Sequence, residues 1–151
     1  MSSASAINLY DQCQTLNIPN LLDPDHYHIT IMSSDNVGDN FECKQRFDQA
    51  VIATPLAYLC RKNEITNTNV LLLHLQCQPC VNRHNDLKTN CHMIHRFNDY
   101  IPHVTLSYNV SMDFDPTKLP VPTMELELNE EKAETQSAEK IKEWLEDKLN
   151  K

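Results

Sequence analysis

Glycine is almost absent from this chain of 151 residues, since Gly38 is the only one. Glycine adopts left-handed backbone more readily than other residues, so we expect the turns to depend on asparagine, aspartate and proline. Long apolar runs are also absent, and none approaches the roughly 18 residues of a membrane-spanning helix. The start of the chain, Met1 to Ser5, lacks the basic and apolar regions of a signal peptide. We therefore expect a soluble cytoplasmic protein with no membrane partner.

Positive charge is in the minority, because 13 lysines and arginines face 21 acidic residues and the formal net charge is −8. A protein that binds long nucleic acid through general electrostatics needs a basic face that releases counterions. The composition therefore argues against that function. A small ligand with a few phosphates needs only a local cationic pocket, which histidines with lysine and arginine neighbours can form.

The cysteines show no disulfide framework, and without a secretory signal we expect them to be reduced. Thiolate and imidazole are the ligands that zinc prefers, so one stretch raises the alternative of a structural zinc site. That stretch contains Cys77, Cys80, His84, Cys91, His92 and His95. Cys77 and Cys80 flank the end of a predicted strand, however, and buried cysteines are common as small hydrophobic residues. We therefore predict no metal.

One four-residue pattern occurs twice, as His28-Ile29-Thr30-Ile31 and as His103-Val104-Thr105-Leu106. Both copies are predicted strands, because Ile, Val and Thr favour a pleated backbone and apolar residues alternate with polar ones. Residues i and i+2 of a strand share a face, so each copy presents an imidazole beside a hydroxyl. Two such strands facing each other supply an acid, a base and donors for an anionic oxygen. The candidate catalytic residues are His28, Thr30, His103 and Thr105.

The periodicity predicts a single α+β domain over residues 1–151. Helices are expected at 4–16, just after Pro79 and at 131–149, and strands at 27–33, 50–59, 70–75, 103–109 and 124–128. Pro55 places the second of these strands at or near a sheet edge, and the apolar run 70–75 indicates a central strand. In the strand 103–109, strict alternation groups Ser107 with the two catalytic candidates and Tyr108 with the buried residues.

The two motifs and their surroundings resemble the 2H phosphoesterase superfamily, which is named for two His-x-Thr/Ser-x signatures. Segments 18–30, 69–87 and 87–108 are similar to the branch that contains the phage anti-CBASS nucleases, enzymes that destroy cyclic oligonucleotide signals. The resemblance covers roughly residues 7–134. It implies two lobes, each an antiparallel sheet with helices outside, and a central groove lined by the two motif strands. It also implies a reaction without metal or cofactor.

The function implied by this resemblance is cleavage of 3′–5′ bonds in a cyclic di- or trinucleotide such as 3′,3′-cyclic GMP-AMP. Such an activity would evade CBASS immunity in the cytoplasm of a bacterial host. One imidazole would take the proton of a ribose 2′-hydroxyl and the other would protonate the leaving 5′-oxygen, and Thr30 and Thr105 would hold nonbridging oxygens. Which histidine is the base stays open.

Four further residues are candidates for substrate contacts. Glu131 has the position of a glutamate that the anti-CBASS branch places near its ligand, although a solvated charge in an acidic run is an equal alternative. His26 is expected at the rim, and Ser107 and Tyr108 follow the second motif. His84 is expected to be a structural hydrogen-bonding residue.

Two other functions remain open. Another 2H enzyme, acting on 2′,3′-cyclic phosphates or on 2′–5′ linked RNA ends, would use the same four residues. A non-catalytic cyclic nucleotide-binding module is the other alternative, and intact His and Thr in both motifs argue against it. A homo-oligomer is neither indicated nor excluded.

Overall fold

Four strands form one antiparallel sheet in the order β3-β2-β1-β4 in the computed structural model, which describes residues 1–36, 38–43, 46–97, 99–134, 143 and 146–147. The strands are β1 Val51–Asn63, β2 Thr68–Gln76, β3 His103–Val110 and β4 Leu126–Leu128, and the helices are α1 Ser3–Gln14 and α2 Gln78–Thr89. Short 3-10 turns occupy Pro24–His26 and Pro116–Lys118. The α+β class is confirmed. The arrangement of two sheets in two lobes is not confirmed by the described residues.

The core lies between α1 and one face of the sheet. Helix α1 begins after Ser2, whose hydroxyl accepts a hydrogen bond from the Ser5 amide, and the helix buries Ala6, Leu9 and Cys13. Strand β2 contributes alternate leucines to this core, which are Leu71, Leu73 and Leu75. Side chains alternate along a strand, so Val70, Leu72 and His74 project from the opposite face.

The strand order confirms the predicted positions of two strands in the sheet. β2 lies between β1 and β3, as its apolar run indicates. β4 pairs with β1 only at Val51–Ala53, and a bulge follows between Pro55 and Ala57. Pro55 therefore lies at an open edge, as predicted, because a proline has no amide hydrogen to donate to a neighbouring strand. β4 is shorter than the predicted strand 124–128.

The turns confirm what the scarcity of glycine predicts. Among the residues that the structure describes, positive φ angles occur at four asparagines and one histidine, which are Asn17, Asn20, Asn40, Asn67 and His92. The single glycine serves a close approach instead, because a Cβ on Gly38 would lie 2.8 Å from Met93 Cγ and 2.9 Å from the Cys91 carbonyl oxygen. None of the helices among the described residues is long and apolar enough to cross a membrane.

Two predicted elements need comment. The strand at 27–33 is wrong as stated, because this segment makes a single isolated antiparallel bridge, Ile29 with Val104, and a second one, Ser34 with His95, comes just after it. Its other backbone groups are held largely by side chains from α2 and from the segment before β3, so a continuous ladder does not form. The predicted C-terminal helix at 131–149 lies largely outside the described residues.

Candidate active site

The bridge between Ile29 and Val104 brings the two motifs side by side. Both residues belong to the hydrophobic core or pack against it. In an antiparallel pair, the residues on either side of a bridge also lie opposite one another, and they project from the other face. The bridge therefore sets the polar motif residues in two opposed pairs, His28 with Thr105 and Thr30 with His103. We call the sheet face that carries them the motif face.

The two histidines are oriented in the same way. His28 Nδ1 lies 2.9 Å from the carbonyl oxygen of His26, and His103 Nδ1 lies 2.7 Å from the carbonyl oxygen of Ile101. A carbonyl oxygen only accepts hydrogen bonds, so Nδ1 carries the hydrogen in both rings. In a neutral ring this leaves the lone pair on Nε2, and in a charged ring it leaves a second N–H there. Each Nε2 can therefore exchange a proton with a bound ligand.

The environment of His103 favours its neutral form. Burial lowers the pKa of His103, and the positive charges of Arg61, His28 and His74 lower it further, whereas the hydrogen bond to Ile101 acts in the opposite direction. His28 is exposed, whereas His103 is half-buried. The two imidazoles therefore differ in environment although their orientations match.

A bulge in β3 changes the side chains that follow the second motif. Thr105 pairs with Leu72 and Ser107 pairs with Leu71, so Leu106 is an extra residue in β3. Ser107 is fully buried and donates a hydrogen bond of 2.6 Å to the carbonyl oxygen of Pro19. The predicted substrate contact of Ser107 stays a prediction, and in this structure its hydroxyl anchors the loop before the first motif.

The same bulge brings Tyr108 close to the second motif. A bulge shifts the alternation beyond it, so Tyr108 comes close to Thr105 while it also packs against the hydrophobic core. Burial raises the pKa of Tyr108 to about 12, and the nearby Thr105 side chain acts in the opposite direction. The phenol therefore stays protonated near neutral pH and can donate a hydrogen bond. The predicted substrate contact of Tyr108 thus has suitable geometry.

Two aromatic side chains hold the first motif in place. The Tyr100 hydroxyl donates to the Thr30 carbonyl at 2.9 Å, and His84 Nδ1 lies 2.7 Å from the Ile31 carbonyl. The two rings stack with centroids 4.2 Å apart. His84 is buried. The predicted structural role of His84 is confirmed, and it explains how a segment without a regular ladder presents His28 in a fixed position.

Comparison with known proteins adds an independent line of evidence. The family model described as "Anti-CBASS protein Acb1" matches residues 1–143. The anti-CBASS protein Acb1 of Vibrio phage KVP40 is 32% identical over 113 residues, which cover 72% of this chain and 68% of that protein. This chain belongs to the anti-CBASS protein Acb1 family. The predicted resemblance is confirmed at the level of this family, and membership of the wider 2H superfamily stays a prediction.

Two other predicted substrate contacts have identifiable partners in this Acb1-family chain. His26 orients His28 through its carbonyl oxygen, and its own ring lies 3.9 Å from the Asp25 carboxylate. The Glu131 carboxylate accepts hydrogen bonds from Arg83 on α2 at 3.1 and 3.0 Å. Glu131 thus fixes the chain after β4 to α2, and its contact with substrate stays a prediction.

Sequence reasoning missed two cationic residues of the motif face. His74 on β2 pairs directly with His103, and Arg61 on β1 lies close enough to lower the pKa of His103. His74 is the one polar residue in the apolar run 70–75. That interruption could have identified His74 as a candidate, because an ionisable residue is unusual inside a central apolar strand.

The geometry gives no support to the alternative of a zinc site. Cys77 Sγ and Cys80 Sγ are 2.8 Å apart, but His84 is committed to the Ile31 carbonyl. Across the part of the chain that the structure describes, three potential ligand atoms come together only at Asp23, Asp25 and His26. Both of these aspartates are exposed, and exposed acidic groups commonly cluster without a metal.

Proposed function

We propose that this chain is a metal-independent phosphodiesterase that cleaves 3′–5′ bonds in cyclic oligonucleotide signals and so counters CBASS immunity in a bacterial cell. Family membership supports the anti-CBASS role. The observation that carries the catalytic part is the matched pair His28 and His103, both fixed through Nδ1 and both on the motif face. The 2H-like groove of two lobes is part of this proposal, supported by the direct pairing of the motifs.

The different environments of the histidines suggest their roles. His103 is held neutral, so its Nε2 takes the proton of the ribose 2′-hydroxyl. The 2′-oxygen attacks phosphorus and the bond from phosphorus to the 5′-oxygen breaks. His28 acts as the acid, and its protonated form gives the Nε2 proton to that leaving oxygen. The ring opens with a 2′,3′-cyclic phosphate at one end and a 5′-hydroxyl at the other.

Hydroxyl groups beside the histidines complete the site. Thr30 lies opposite His103 and Thr105 lies opposite His28, so either can donate to a nonbridging phosphate oxygen as negative charge develops there. The protonated phenol of Tyr108 lies beside Thr105 and is a further possible donor. Fixed donors of this kind stabilise a transition state because they need no reorganisation when the charge appears.

A substrate panel tests this function. The purified protein is incubated in EDTA with cyclic di- and trinucleotides, a nucleoside 2′,3′-cyclic phosphate and a 2′–5′ linked dinucleotide, and the products are identified by mass. The proposal predicts rapid opening of at least one cyclic 3′–5′ linked ring. Preferred turnover of the 2′,3′-cyclic phosphate or the 2′–5′ linkage would favour the other 2H activity. Tight binding of a cyclic nucleotide without turnover would favour a binding module.

A further inference from the structure

The motif face extends well beyond the catalytic histidines. Directly paired residues of antiparallel strands project from the same face, so the pairing of β1, β2 and β3 defines rows of side chains across it. One row is Ala57 with His74 and His103, the next is Leu59 with Leu72 and Thr105, and a third contains Arg61 with Val70. The rows lead from the histidines on β3 to Arg61 on β1.

This surface carries basic side chains at its two ends and apolar side chains between them. His74 adjoins His103, Arg61 is exposed on β1, and Leu59 and Leu72 lie between them. The ion pairs found among the described residues engage Arg83 and Arg96 but not Arg61. The whole chain carries a net charge of −8, so a local group of basic side chains indicates an anionic ligand.

The distances across this surface exceed the size of one phosphate group. Neighbouring strands lie about 4.8 Å apart and residues along a strand rise about 3.3 Å, so Arg61 is displaced from His103 by about 10 Å across the sheet and about 13 Å along it. A single phosphate between the histidines cannot also reach the root of the Arg61 side chain. Its guanidinium is nonetheless near enough to influence the charge of His103.

We propose that Arg61 binds the second, uncleaved phosphodiester of a cyclic dinucleotide, while His74 and the half-buried Leu59 side chain support the nucleoside between the two phosphates. This inference rests on the proposed function, because it assumes that the first phosphodiester occupies the two histidines. It makes Arg61 a residue that distinguishes cyclic substrates with two phosphodiesters from linear ones with a single phosphodiester.

The test compares Arg61→Gln with Lys62→Gln. Lys62 is the next residue along β1, is also exposed and projects from the opposite face, so it gives the same charge change away from the site. For each variant, kcat/KM is measured on 3′,3′-cyclic GMP-AMP and on linear guanylyl-3′,5′-adenosine. Arg61→Gln should lower the ratio of cyclic to linear kcat/KM at least about tenfold, since a charge-assisted contact is lost. Lys62→Gln should leave it within about twofold. An unchanged ratio in Arg61→Gln would overturn the proposal.

Binding separates this inference from the proposed function. The 2′-deoxy analogue of 3′,3′-cyclic GMP-AMP keeps both phosphates, and its Kd is measured by calorimetry. Arg61→Gln should raise that Kd at least about tenfold and Lys62→Gln should not. If the wild type binds the analogue through Arg61 but cleaves no cyclic substrate, the catalytic function fails and the Arg61 site stands. If the wild type cleaves a cyclic substrate but Arg61→Gln and Lys62→Gln have the same Kd for the analogue, only the Arg61 site fails. If the wild type neither binds the analogue nor cleaves a cyclic substrate, both proposals fail.

Discussion

His28 and His103 each donate an Nδ1 hydrogen to the carbonyl oxygen two residues earlier, at 2.9 and 2.7 Å. The equivalence comes from different local structures, because His103 begins β3 whereas His28 follows a 3-10 turn. An identical local contact therefore fixes the same tautomer twice. Ile29 and Val104 then place the two rings on one face.

Replacing either histidine should remove turnover without unfolding the protein. His28→Ala and His103→Ala should each lower kcat by about 10²–10⁴-fold, because each removes a proton-transfer group. His92→Asn is the matched control, since His92 is an exposed histidine beside Asp39 and asparagine tolerates its positive φ. The experiment pairs kinetics with circular dichroism. A folded single variant that kept a tenth of the wild-type rate would contradict the acid–base pair.

The pH dependence of kcat/KM should report on His103. Because burial and the charges of Arg61, His28 and His74 lower the pKa of His103, the acidic limb should have its midpoint below 6.5. His74→Ala removes one of these charges, so the midpoint should move to higher pH. Initial rates across pH 4.5–8 under kcat/KM conditions measure this. A wild-type midpoint above 6.5 would show that His103 is not the base.

Folding stability should fall as pH drops through the same range. Unfolded His103 binds a proton near pH 6.5, but the folded protein resists that proton because the pKa of His103 is lowered. The unfolded state therefore binds more protons between the two pKa values, and the free energy of unfolding decreases with falling pH. Urea titrations at pH 7 and pH 5 should show a smaller loss for His103→Gln than for the wild type. Equal losses would mean that the lowered pKa contributes little.

Ser107 and Tyr108 should separate stability from activity. Ser107→Ala removes the buried hydrogen bond to Pro19 and should lower the free energy of unfolding by about 1 kcal/mol with kcat unchanged. Tyr108→Phe removes the phenolic hydroxyl beside Thr105 and should lower kcat by about tenfold with little change in stability. Denaturant titrations and kinetics on both variants test the pair. If Ser107→Ala lowered kcat and Tyr108→Phe lowered only stability, Ser107 would be the residue at the site and Tyr108 the structural one, as strand alternation predicts.

The bulge at Leu106 in β3 separates what the sequence predicts from what it does not. The four motif residues could be predicted because their pattern is local and occurs twice. The faces of Ser107 and Tyr108 could not, because the bulge arises from the pairing of β3 with β2, which local alternation does not encode. Tertiary partners likewise replaced the expected ladder at 27–33, where Tyr100 and His84 hold the backbone. The partner of Glu131 is Arg83, on a helix 48 positions away in the chain.

The identity of the attacking atom tests the central claim most directly. The wild-type protein is given 3′,3′-cyclic GMP-AMP and, separately, its analogue without a 2′-hydroxyl beside the scissile bond, both in EDTA, and the product masses are read. If His103 activates the ribose hydroxyl, the natural ring opens to a 2′,3′-cyclic phosphate or the monophosphate derived from it, and the deoxy analogue stays intact. Equal cleavage of the two compounds would contradict the account, because water would then be the nucleophile.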